Sequence, residues 1–170
     1  MLADMPTTTD GGGLDRYDFF ISFTDSDREW ADWIDALVPE VRNVAGDPCT
    51  ALYQGTQFVA GTNWVAMVQD GLRRADRFVA VFSDAYLKAS SFGAAELHAA
   101  WRTDPNGAFR RVVPVRVKDC EPEGLFGPIV YIDLLGLGPQ AAERTLVDGL
   151  TAAIHGRRPR RRPPFPGASR

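Results

Sequence analysis

Phe92 and Glu96 stand four residues apart in the segment Phe92-Gly93-Ala94-Ala95-Glu96-Leu97. On a helix that spacing brings an aromatic ring and a carboxylate onto one face. An oriented carboxylate can stabilise positive charge developing on a bound molecule. The same pair also reads as a core aromatic beside one ordinary helix-surface acid. Ser83, which closes a long apolar run, either bonds a ligand or caps the turn that follows. Phe23-Thr24-Asp25 closes another run, and Thr24-Asp25-Ser26-Asp27 offers helix caps. Other chemistries lack their residues. No G-x-G-x-x-G or Walker-type loop is present, and no nucleophile elbow. His98 and His155 have no evident Ser or Cys partner and read as helix-surface or partly packed residues. With Cys49 and Cys120 they do not fall at zinc spacing, so no metal is expected. Two cysteines also make no disulfide framework, which points to a reducing, cytoplasmic setting.

The elements that must hold these residues follow from composition and periodicity. The 170 residues are 45% hydrophobic and 24% charged, an ordinary balance for one mixed globular domain. No apolar run approaches the roughly 20 residues of a membrane span. Residues 1–13 lack the basic start and apolar stretch of a secretory signal. The net charge of −3 is uneven: residues 157–170 hold six of the 19 basic side chains and no acid, leaving residues 1–156 at −9. An acidic body argues against a nucleic-acid face. The Pro/Arg-rich tail 156–170 reads as a solvated linker rather than as a basic arm for RNA or acidic membranes. It is expected to lead to a further module, and residues 1–15 are expected to be a flexible leader.

Between them, strand and helix signals alternate. Tyr17–Phe23, Pro48–Tyr53, Arg77–Ser83, Arg111–Val117 and Ile129–Ile132 read as five strands. Pro114 suggests a bulge or a strand end within the fourth. Trp30, Trp33, Ile34, Leu37 and Val41 recur at helical spacing, as do Trp64, Val65, Val68 and Leu72, and then Leu146, Leu150 and Ile154. This alternation predicts an α/β fold, a parallel sheet covered by helices on both faces. Ligands of such sheets sit outside the carboxyl ends of the strands, where strand order reverses. The residues to inspect are therefore Phe23 to Asp25, Gln54 to Thr62, Ser83-Asp84 and Lys118 to Cys120.

Several of these segments together resemble a bacterial TIR (Toll/interleukin-1 receptor) domain across about residues 16–155. Tyr17-Asp18-Phe19-Phe20-Ile21-Ser22-Phe23, with Asp27 beyond it, is similar to the family's first box. Phe58-Val59-Ala60-Gly61-Thr62-Asn63-Trp64 resembles its BB loop. Ala75 to Leu87 resembles the third strand with the Ser-x-x-Tyr-Leu after it, Phe92-x-x-x-Glu96 the aromatic-x-x-x-Glu segment, and Val112-Val113-Pro114-Val115 the fourth strand. The resemblance implies a flavodoxin-like three-layer fold with a five-stranded parallel sheet of order 2-1-3-4-5.

It also implies an activity, cleavage of NAD+ between nicotinamide and ribose, with NAD+ as substrate and no other cofactor. Glu96 would be the catalytic carboxylate. Phe23, Thr24, Ser83 and Phe92 would contact substrate, and Phe58, Val59 and Gly61 would serve self-association through the BB loop. The alternative for Phe58 and Val59 is to fold back onto the sheet edge. The family often carries basic residues after the first strand, where Thr24 and Asp25 supply none. An acid is also frequent at the start of the BB loop, where this chain has Tyr53-Gln54-Gly55. Partners implied are other TIR domains and a fused sensor or NTPase module in bacterial defence signalling, with no nucleic acid and no membrane. A non-catalytic TIR–TIR adaptor is the alternative. A phosphoacceptor receiver shares the topology, and Asp25, Asp27 and Asp84 resemble part of its acid set. Its Lys should follow the fifth strand, whereas Lys118 follows the fourth.

Overall fold

A computed structural model describes residues 15–53, 64–88, 102–122 and 127–159, with backbone alone at 64–68. Five parallel strands make one sheet: β1 (Tyr17–Ser22), β2 (Ala51–Tyr53), β3 (Ala75–Phe82), β4 (Val112–Arg116) and β5 (Ile132–Asp133). Their order is β2-β1-β3-β4-β5, all pairs parallel, as the resemblance implied. Among the described residues the named helices are α1 (Arg28–Leu37), α2 (Trp64–Arg74), α3 (Asp84–Lys88) and α4 (Pro139–His155).

Side chains of a strand alternate between faces, and both faces here are apolar. Phe19, Ile21, Val79, Val81, Val113 and Val115 bury against α1 and α4 through Ile34, Leu146 and Leu150. Phe20, Phe78, Ala80 and Phe82 form the second core, with Leu72 of α2 and Tyr86 of α3. Strand β3, buried on both sides from Phe78 onward, is the centre that each layer shares.

Element ends depart from expectation for identifiable reasons. Helix α1 stops at Leu37 and tightens into a 3-10 turn, Val38–Glu40, because Pro39 has no N–H with which to continue the helical ladder. Val41 is buried beyond that stop, in extended backbone. Strand β2 is shorter than Pro48–Tyr53, because Pro48 pairs antiparallel with Arg42 in an isolated bridge. Pro114 lies inside β4, paired in register with Ala80, and is neither a bulge nor an end. Val117 N–H donates to Phe82 of β3, while the Arg116 carbonyl accepts from Leu134 beyond β5. Alternate residues thus face alternate neighbours, so Pro114 turns its missing donor toward β5. Pairing with β5 begins only at Val115 and Ile132, which leaves Val130 outside the ladder and exposed.

Helix α4 has Pro139 in its first turn and Gly156 just past its end at φ +72°, each where its backbone suits. Helix α2 meets β1 at Gly71, where an added Cβ would stand 2.6 Å from the buried Phe20 ring. Gly71→Ala gains about 1 kcal/mol of helix propensity but overpacks a core site at about 1–3 kcal/mol. The expected net result is a lower urea midpoint; a higher one would mean that α2 can shift away from Phe20.

Candidate functional site

The reversal of strand order falls between β1 and β3, and the residues leaving these strands meet there through one carboxylate. Thr24 follows β1, Ser83 follows β3 and Lys118 follows β4. Thr24 Oγ1 donates to Asp27 Oδ2 at 2.7 Å, and Ser83 Oγ donates to the same oxygen at 2.5 Å. Lys118 Nζ lies 2.7 Å from Asp27 Oδ1 and donates to the Ser26 carbonyl at 2.9 Å. Asp27 is fully buried, whereas the Lys118 side chain is 47% exposed. Burial alone would push the Asp27 carboxyl up; bonds from Lys118, Ser83 and Thr24 and the lysine charge outweigh it and hold the carboxyl below its ordinary value.

The caps expected from Thr24 to Asp27 do not form. Asp25–Asp27 make a 3-10 turn, and Asp27, at the N-cap of α1, turns its carboxylate inward without bonding the helix N–H groups. Ser83 accepts from Tyr86 N–H at 3.0 Å while donating to Asp27, so its buried hydroxyl caps α3. Tyr86 Oη in turn donates to Ser22 Oγ at 3.1 Å. Phe23 is nine-tenths buried and stacks on Tyr53, ring centroids 5.4 Å apart and 8° from parallel. The Arg28 guanidinium lies 5.7 Å from the Phe23 centroid and bonds Asp25 at 2.9 Å. Tyr53 bonds Asp32 through its hydroxyl, and burial first and then that bond push its phenol to about 12.

Phe23, Thr24 and Ser83 are thus together at the carboxyl end of the β1–β3 junction. Glu96, Phe92, Phe58, Val59 and Gly61 lie outside the described residues, as do residues 1–14 and 160–170. Sequence reasoning missed the tie between Asp27 and Lys118. Its signal was present: a lysine just past one strand and an acid three residues beyond the Thr that follows another. Lys118 and Arg28 lie at this end, each paired with an acid, Asp27 and Asp25 respectively.

The receiver alternative does not assemble. Asp25 pairs with Arg28 and Asp84 with Lys88 on the surface, while Asp27 is buried against Lys118. Among the described residues no group of three or more His, Cys, Asp or Glu could hold a metal, and no helix is long and apolar enough to cross a membrane. Burial pushes the Cys49 thiol to about 12, which removes it as a nucleophile. A groove of about 580 Å³ runs between β4–β5 and α4, and one of about 230 Å³ lies by Phe20 and Phe78; Phe23, Thr24, Ser83 and Lys118 line neither.

Asp133 is a second lowered carboxyl, held down by the paired bonds from Arg116 at 3.0 and 2.6 Å. A carboxyl lowered on folding stabilises fully above its unfolded value, about 4. That contribution is lost as pH falls through the folded value. Thermal melts across pH are therefore expected to show stability declining below about pH 4. Asp133→Asn should make that decline shallower; an unchanged slope would mean the pair does not couple to folding.

Comparison with known proteins agrees with the fold. A family model for the TIR domain matches residues 19–147. No curated protein sequence matches. Among solved structures, a metazoan TIR-STING receptor from C. gigas in complex with 2′,3′-cGAMP is similar at a TM-score of 0.63 and 21% identity; the match covers 84% of this chain and 40% of that one. The TIR domain of the Toll-related receptor TRR-2 from Hydra magnipapillata matches at 0.59 and 18% identity, over 81% of this chain and 98% of that one. A sheet of order 2-1-3-4-5 and a family match over most of its length make this chain a member of the TIR domain family.

Proposed function

We propose that the chain is an NAD+ glycohydrolase that cleaves the nicotinamide–ribosyl bond when copies associate, in cytoplasmic defence signalling. The observation that carries the reading is the convergence of Phe23, Thr24 and Ser83 at the β1–β3 junction of a TIR domain. In this reading Phe92-x-x-x-Glu96 brings the reacting carboxylate to that junction. Nicotinamide leaves NAD+ as a neutral molecule, because the bond broken joins ribose to a positively charged ring. No general acid is required, unlike ordinary glycoside hydrolysis. What is required is a carboxylate beside the cationic ribose. Capture of that cation by water gives ADP-ribose, and capture by an adenine nitrogen gives the cyclic product. Phe58, Val59 and Gly61 would lend the BB loop to a neighbouring copy, and a fused sensor or NTPase module would drive clustering.

The test is NAD+ incubated with artificially clustered protein, with nicotinamide and linear or cyclic ADP-ribose quantified. Release that rises with clustering supports the reading. A second reading, a non-catalytic TIR–TIR adaptor, is favoured by the hydroxyls of Thr24 and Ser83 being engaged with Asp27 rather than open to a ligand. No release from clustered protein, with specific binding to another TIR domain, would decide for the adaptor.

A further inference from the structure

A dinucleotide carries two negative charges on its pyrophosphate, and the connection after β1 provides none of the cations that would meet them. The described cation nearest the buried junction is Lys118, delivered from β4 and not from β1. Its ammonium has three donors. One is given to the Ser26 carbonyl, and the charge lies 2.7 Å from Asp27 Oδ1 as an ion pair. The side chain remains 47% exposed while Asp27 is wholly buried, so the positive end of this ion pair is the solvent end.

Asp27 is itself immobilised, because Thr24 and Ser83 hold its other oxygen from two separate connections. The ammonium therefore stands at a fixed place at the carboxyl end of the sheet. An exposed lysine elsewhere would lose side-chain freedom on binding an anion; here most of that loss has been met on folding. The pair is net neutral, so its attraction is local: one charge-assisted donor on a dipole whose positive end faces outward.

We propose that Lys118 meets the pyrophosphate of the bound dinucleotide and that Asp27 is the positioning residue behind it. The inference rests on the reading of the β1–β3 junction as a dinucleotide site, and it names the group that reads the phosphates.

The test is binding of ADP-ribose to the clustered chain by calorimetry, with adenosine as the phosphate-free probe. Lys118→Gln is expected to weaken ADP-ribose about ten-fold, the worth of one charge-assisted bond, without changing adenosine. Lys118→Arg, which keeps the charge, should retain most of the binding. Should Lys118→Gln fail to fold with Asp27 left unpaired, Asp27→Asn/Lys118→Gln removes both charges at no change in net charge and should show the same ten-fold loss. Equal ADP-ribose affinity in the wild type and a folded variant, an equal loss for adenosine, or no ADP-ribose binding by the wild type would overturn it. Lys118-dependent ADP-ribose binding without nicotinamide release would sink the glycohydrolase and leave this assignment standing. Nicotinamide release with ADP-ribose binding indifferent to Lys118 would do the reverse.

Discussion

Glu96→Gln is expected to lower nicotinamide release by clustered protein at least about a hundredfold, the scale on which removing one preorganised electrostatic group acts. The substitution keeps the side chain's size and its ability to accept a hydrogen bond from a ribose hydroxyl, and removes only the negative charge. Substrate affinity should therefore change far less than turnover, which is the pattern of an interaction made chiefly in the transition state. KM and kcat measured on matched clusters of wild type and variant check this. Equal turnover would take Glu96 out of the reaction, and a loss confined to KM would make it a binding group.

Lys118→Met is expected to cost about 3 kcal/mol of folding stability, the lower end of what breaking a buried ion pair from one side costs. The lower end applies because Lys118 is half exposed and water can replace part of what it gives. The damage comes from Asp27, which has no exposure and would keep its charge with only two hydroxyl donors. Adding Asp27→Asn removes that stranded charge while leaving an oxygen for Thr24 and Ser83. The double variant should regain most of the loss, so the two substitutions couple strongly in a double-mutant cycle. Urea unfolding of the four proteins measures it, and additive losses would show that Lys118 acts on stability independently of Asp27.

Long, periodic elements were legible in the sequence. β3 and α4 announce themselves because nearly every position of β3 is buried and because Leu146, Leu150 and Ile154 share one helical face. The strand order came from motifs read in sequence and was met by the pairing. Element ends were less legible, since Pro39, Pro48 and Pro114 act through which backbone group each removes and which neighbour that group would face. The roles proposed for Glu96, Phe92, Phe58, Val59 and Gly61 rest on motif alone, since these residues lie outside the described ones. In the sequence, Thr24 and Ser83 each read either as a ligand contact or as a helix cap. Ser83 does cap α3, and both hydroxyls also bond Asp27, Thr24 from three residues away and Ser83 only once β1 and β3 lie side by side.

Pro114 has a consequence for how the sheet ends. By withholding an N–H on the side of β5, it keeps that outermost strand to two residues, Ile132 and Asp133, and Asp133 is drawn into the Arg116 fork. A long bare margin would template strands of other polypeptides and seed aggregation. A margin this brief offers an intruding strand little to register on, so crowding many copies together need not end in fibrils.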